Sequence, residues 1–180
     1  MDGASGCGCE DVGDRMRVIG FAGWSGAGKT TLLRRLIPVL VGRGFRVSTV
    51  KHAHHGFDVD KPGKDSWVHR EAGATEVLVG SANRWALMHE LRDEAEPDLA
   101  GLLSRLSPVD LVLVEGFKRG PHPKIEVHRA ALGKSLLHPD DPGVVAMAAS
   151  PVMDAPIPVV DLDDMEAVAD LVERHAEGRG

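Results

Sequence analysis

Apolar residues fall in short runs separated by amphipathic or polar stretches. Arg17–Ala22 is an apolar run ahead of a glycine cluster, which predicts a buried strand. Leucine or isoleucine at 32, 33, 36, 37 and 40 lies on one face of a helix over Thr30–Val41, with Pro38 predicting a kink or an early end. Phe45–Val50 reads as a second strand, and Asp65 or Ser66 opens a short helix that ends at Gly73. Thr75–Val79 and Trp85–His89 read as strands and Pro97–Leu106 as a helix. Leu111–Val114 is uninterruptedly apolar, as a strand covered on both faces would be. Lys124–His128 alternates, which predicts a more exposed strand, and Val144–Ala148 and Ile157–Val160 read as later strands. Asp163 with Glu166 resembles a capping box for a last helix reaching about Glu173. Alternating strands and helices around fully apolar strands predict an α/β fold with a mostly parallel sheet flanked by helices and antiparallel additions.

The chain has 180 residues, 43% hydrophobic and 27% charged, as expected of one globular domain over residues 15–180. Its formal charge of -6 supplies no general attraction to nucleic acid or an anionic membrane. No apolar run approaches the ~20 residues of a membrane span, and residues 1–14 lack the pattern of a signal peptide. The expectation is a cytoplasmic protein with reduced cysteines. Both cysteines, Cys7 and Cys9, lie in that Gly-rich lead-in, read as a disordered extension. A C-x-C pair can ligate a soft metal, but a four-coordinate site needs further ligands.

The strongest chemical signal is Gly23-Trp24-Ser25-Gly26-Ala27-Gly28-Lys29-Thr30, which fits G-x-x-x-x-G-K-[ST] at every fixed position. Its glycines let backbone N–H groups close around an anion, and the helix that follows aims its positive end at the same phosphates. Lys29 is placed for the β- and γ-phosphates, Thr30 for Mg2+ and Thr31 for the α-phosphate. Because an apolar strand precedes the loop and an amphipathic helix follows it, the site reads as one for a nucleoside triphosphate, of P-loop NTPase type. Glu115 follows four apolar residues and precedes Gly116, so its carboxylate is expected at a strand tip beside the magnesium. Asp110, at the other end of that strand, reads as an entry turn.

Lys51-His52-Ala53-His54-His55 follows the second strand at the same sheet edge, with Asp58, Asp60 and Asp65 further on. Three chemistries fit this loop. It can sense the γ-phosphate and magnesium through one of the carboxylates. It can contact a second anion through Lys51, Lys64 and protonated histidines. Or His52, His54 and His55 can hold a transition metal. A plain solvated loop is the fourth reading, and no spacing rule selects one carboxylate.

Taken together, Gly23–Thr31, Lys51–His55, Asp58 through Ser66, Arg84-Trp85-Ala86-Leu87-Met88 and Val114-Glu115-Gly116-Phe117-Lys118 resemble the molybdopterin-guanine dinucleotide biosynthesis protein B family, MobB. The resemblance runs from about Arg17 to Glu173. It implies a GTP-binding P-loop protein that is homodimeric and hydrolyses GTP weakly. Its implied partner is the guanylyltransferase that joins GMP to molybdopterin, with molybdopterin itself a candidate ligand. Carried over by position, Ser25, Gly26, Ala27, Gly28, Lys29 and Thr30 contact phosphate, Thr30 and Glu115 form the magnesium pair, and Asp58 to Asp65 belongs to a loop near the γ-phosphate.

Two features depart from the pattern. The Asn-Lys-x-Asp stretch with which many guanine-binding relatives read the base is missing, and the corresponding stretch after Val144–Ala148 offers Asp154, which reads either as a base contact or as a turn residue before Pro156. Residues 1–14 are additional. Trp85 is expected in the core or in a dimer contact, Lys118 and Arg119 at the active edge or in a solvated turn, and His122 and His128 at the surface. The competing functions are a small-molecule kinase, which usually has an Arg-rich lid that this sequence lacks, a metallochaperone GTPase using Cys7, Cys9 and the histidine loop, and an interaction module with a structural nucleotide.

Overall fold

A computed structural model describes residues 16–53 and 56–178. The 1–14 extension with Cys7 and Cys9, and likewise His54 and His55, lie outside the described residues. The chain divides into two compact units, residues 53–101 forming one and the rest the other.

The larger unit is built on a seven-stranded sheet. Its strands are β1 (Arg17–Ala22), β2 (Val47–Lys51), β5 (Leu111–Glu115), β6 (Lys124–Arg129), β7 (Val144–Ser150), β8 (Val159–Asp161) and β9 (Glu177–Gly178). The order is β2-β5-β1-β6-β7-β8, every neighbouring pair parallel, while β9 runs antiparallel to β1. The expected α/β class with antiparallel additions is the one observed.

Side-chain alternation divides the sheet into two faces. Ile19, Phe21, Leu111, Leu113, Ile125, Val127, Ala146 and Ala148 meet Leu32, Leu33, Leu36 and Leu40 of α1 (Lys29–Gly42) and Val168, Ala169, Leu171 and Val172 of α4 (Met165–His175). Arg43, which caps α1, ties it to α4 through Glu166, Asp170 (2.8 Å) and Glu173 (2.6 Å). α1 runs through Pro38 rather than ending there. Pro38 and Arg34, whose carbonyl loses its partner, are exposed, and Leu36 and Leu40 are fully buried on either side. At α4 the cap is Asp164, one residue later than expected, accepting from the Ala167 N–H at 3.0 Å.

The opposite face overturns one expectation. β6 is buried rather than exposed, because it lies between β1 and β7 and the chain returns over its polar positions. Lys124 is 1% exposed; its Nζ donates to the Gly120 carbonyl at 2.7 Å and lies 3.2 Å from Asp141. Glu126, also 1% exposed, accepts the backbone N–H groups of Leu137 and His138 at 2.8 and 3.0 Å. His128 is buried as well. His122 is half-buried against two glycines, since a Cβ at Gly20 or Gly120 would lie 2.5 or 2.6 Å from its ring. Neither histidine is the surface residue the sequence suggested.

The smaller unit contains α2 (Asp65–Glu71) and the antiparallel hairpin β3 (Glu76–Gly80) and β4 (Trp85–His89). Val77 is buried on one hairpin face, whereas Leu78, Leu87 and Trp85 on the other are exposed, so Trp85 is not a core residue. The remaining helix, α3 (Leu99–Leu103), crosses the boundary of the two units. Among the described residues no helix is long and apolar enough to cross a membrane.

Candidate nucleotide-binding site

Parallel pairing brings the C-terminal ends of β1, β5, β2, β6 and β7 to one edge of the sheet, where ligands of such sheets bind. The phosphate loop leaves β1 at this edge and enters α1. Gly26 (φ +83) and Gly28 (φ +95) occupy left-handed conformations that L residues adopt poorly, so the loop's curvature depends on them. Ala27 is buried, its N–H donating to the Trp24 carbonyl at 3.1 Å. Ser25, Thr30 and Thr31 are exposed.

Lys29 Nζ donates to the carbonyls of Gly23 (2.8 Å) and Trp24 (3.1 Å). Burial, and then the field of Lys118, hold its pKa below the ordinary lysine value, with Glu115 opposing and Lys51 reinforcing the shift. Thr30 Oγ1 donates to Glu115 Oε1 at 2.9 Å, across 85 positions of sequence. The structure therefore brings together the two side chains expected to face magnesium. A hydroxyl and a single carboxylate are hard oxygen donors, a set that suits Mg2+ completing its shell with water and phosphate oxygens.

β2 ends at Lys51, whose Nζ is 3.9 Å from Glu115 Oε1. The His52 N–H donates to the Glu115 carbonyl at 2.8 Å and its ring packs on Phe117, centroids 4.8 Å apart. Asp58 and Asp60, in the smaller unit, are gathered by Arg70: Nη2 donates to Asp58 at 3.0 and 3.1 Å, and Asp60 lies 3.5 Å from Nε. Asp60 also accepts from Ser66 at 2.7 Å, the foremost cause of its lowered pKa. Asp65 is the first residue of α2. Asp154 is exposed on the loop after β7, at the same edge as the phosphate loop. No three His, Cys, Asp or Glu side chains are grouped to hold a metal among the described residues. Asp110 chelates Arg46 at the N-terminal end of β5, through its backbone N–H at 2.7 Å and its guanidinium at 3.3 Å.

Three further groups escaped the sequence reading. Trp24 Nε1 donates to the Ser135 carbonyl at 2.8 Å, fixing the phosphate loop to a segment 111 residues away. Lys134 Nζ lies 5.9 Å from the Trp24 ring centroid. Arg129, the last residue of β6, comes so close to Gly28 that a Cβ there would be 3.4 Å from its Nε. Position at the C-terminal end of a parallel strand was the available signal for Arg129; none in the local sequence marks the other two.

Comparison with known proteins agrees with this geometry. The family model described as "Molybdopterin guanine dinucleotide synthesis protein B" matches residues 18–150, from β1 to the end of β7. A protein of Escherichia coli named molybdopterin-guanine dinucleotide biosynthesis adapter protein is 47% identical over 161 residues, covering 86% of this chain and 90% of that one. A Haemophilus influenzae protein of the same name is 40% identical over 162 residues, 90% of each chain. Among solved structures, a crystal structure of molybdopterin-guanine biosynthesis protein B superposes with a TM-score of 0.70 at 28% identity, covering 87% of this chain and 97% of that one. The fold, the phosphate loop and the relatives converge, and the chain belongs to the MobB family.

Proposed function

We propose that this protein binds GTP with Mg2+ at the phosphate loop, hydrolyses it slowly, and serves as an adaptor for the guanylyltransferase that attaches GMP to molybdopterin. The carrying observation is that Thr30 and Glu115 meet at 2.9 Å beside Lys29, in a chain whose relatives are named adapter proteins of that biosynthesis. In this reading the loop N–H groups and the start of α1 bind the phosphates, and Lys29 leaves the carbonyls of Gly23 and Trp24 to stabilise charge at the β–γ bridge. Magnesium, when bound, supplies further charge neutralisation there. Asp154 is the candidate reader of the guanine. The reading includes a homodimer, for which the exposed apolar hairpin residues Leu78, Trp85 and Leu87 are the candidate contact.

Calorimetric titration of GTP and ATP with magnesium into the wild type and Lys29→Ala tests the site. Tighter binding of GTP, lost in the variant, supports it. Equal binding or a preference for ATP removes the guanine reading and favours a kinase. The adaptor role fails if a MobB-dependent guanylyltransferase neither binds this protein nor changes its rate in its presence.

A further inference from the structure

The turn after Glu115 is tightly constrained backbone next to the phosphate loop. Gly116 (φ +104) and Phe117 (φ +48) are consecutive left-handed residues. At Gly116 no side chain fits, since a Cβ would lie 2.7 Å from the Cβ of His52. At Phe117 a bulky residue holds a conformation that L residues disfavour, a kind of strain that persists where surrounding structure enforces it and that clusters at functional sites. The enforcing contacts are its ring against His52 and its carbonyl, which accepts the Gly120 N–H at 2.8 Å.

This turn delivers Lys118. Its Nζ lies 5.3 Å from the ring centroid of Trp24, within the phosphate loop itself, and Trp24 is fixed by its bond to Ser135. Glu115 lies 3.9 Å from Lys51, and Lys29 has Lys118, Glu115 and Lys51 as its charged neighbours, the ammonium of Lys118 helping to depress its pKa. Two lysines and one carboxylate acting on Lys29 leave unbalanced positive charge beside the loop, which a polyphosphate would neutralise.

We propose that Lys118 is a catalytic residue of this site, its ammonium contacting the terminal phosphate of a bound nucleoside triphosphate and holding the transferring phosphoryl group more tightly than the ground state. The inference rests on the phosphate loop being a nucleotide site and is independent of which base is bound. In the reaction a water oxygen bonds to the terminal phosphorus while the bond to the bridging oxygen breaks. The bridging oxygen keeps the electron pair on the departing diphosphate, and the water's proton passes to the phosphate product or solvent. Lys118 would neutralise charge on the phosphoryl oxygens while the group is only loosely bonded to the incoming water and the departing bridging oxygen.

The test compares wild type, Lys118→Met and Lys118→Arg, all checked for folding by circular dichroism. Each is titrated with GDP, GTP and GDP–aluminium fluoride, and with the adenine counterparts, in magnesium. The methionine variant should bind the diphosphate within about twofold of wild type, bind the fluoride complex at least about tenfold more weakly, and lose about 100-fold in kcat with little change in KM. The arginine variant should recover most of the loss, because it keeps the charge. If Lys118→Met weakens the diphosphate and the fluoride complex equally, or changes neither, the proposal is overturned. Failure of the wild type to bind any nucleotide overturns the nucleotide site itself, and the two failures are thereby told apart.

Discussion

Replacing Glu126 by alanine should destabilise the larger unit and loosen the phosphate loop together. The carboxylate, 1% exposed, accepts the Leu137 and His138 N–H groups at 2.8 and 3.0 Å and lies 3.4 Å from His138 Nδ1. A hydrogen bond to a charged group is worth about 1.5–3 kcal/mol net, so the two amides set an upper range of about 3–6 kcal/mol. Leu137 and His138 are themselves only partly buried, so water can reach the freed amides and the expected loss falls to about 2–4 kcal/mol. At about 2–4 °C per kcal/mol for a domain of this size, Tm should fall by about 4–16 °C. Glu126→Gln keeps one acceptor oxygen but turns an NH2 group toward a second donor, and should lose roughly half as much. The functional readout is Trp24, whose Nε1 bonds to Ser135 two residues before Leu137. Its emission should shift to the red in the alanine variant, with a Trp24→Phe background subtracting Trp67 and Trp85. Thermal unfolding followed by circular dichroism decides the matter. A Tm for Glu126→Ala within about 2 °C of wild type would refute the assignment of Glu126 as the anchor of this segment.

Three more expectations follow from the same geometry. Gly116→Ala must accept φ +104 and a 2.7 Å approach to His52, so thermal unfolding should show a loss above the ~1–2 kcal/mol of a left-handed alanine; an unchanged Tm would show that the turn relaxes freely. Burial, then Lys124, hold His122 down to about 4 from an ordinary 6.5, with Asp141 opposing, so the unfolded chain binds more protons between those values. Stability from this group is complete above the ordinary value and should fall by about 1–2 kcal/mol, after allowing for solvent screening, as the pH drops through the window; urea unfolding of His122→Asn should show a flatter dependence, and an identical slope would sink the idea. His89 is shifted the other way by Glu76 and then Glu94, so its stabilisation is full below the ordinary histidine value and is lost as pH rises through the raised one. Protection of the β3–β4 amides against hydrogen exchange, corrected for the intrinsic rate, should decline over that rise in the wild type and stay level in His89→Gln.

What the sequence made legible was whatever local pattern controls. β1 and β4 were predicted at their observed bounds, and the unbroken apolar run of Leu111–Val114 marked a strand covered on both faces. The phosphate loop is a contiguous motif, and the position of Glu115 beside Thr30 was legible because a carboxylate after such a strand has one place to emerge. What stayed hidden depends on how distant chain comes back. The alternation of Lys124, Glu126 and His128 has the signature of a half-solvated strand, and it misled because all three are buried, Lys124 against Gly120 and Asp141 and Glu126 against Leu137 and His138. Pro38 misled for the converse reason. Its local penalty was real, but the burial of Leu36 and Leu40 on both sides outweighs it. The first of these misreadings has a functional consequence. The segment that returns over β6 to satisfy Glu126 also presents Ser135 to Trp24, so the buried polar face of the sheet and the posture of the phosphate loop are parts of one hydrogen-bonded arrangement. Buried polar groups of this kind cost stability unless every partner is present. Their retention beside the loop is explained if the same bonds that complete the fold also hold the anion site in shape.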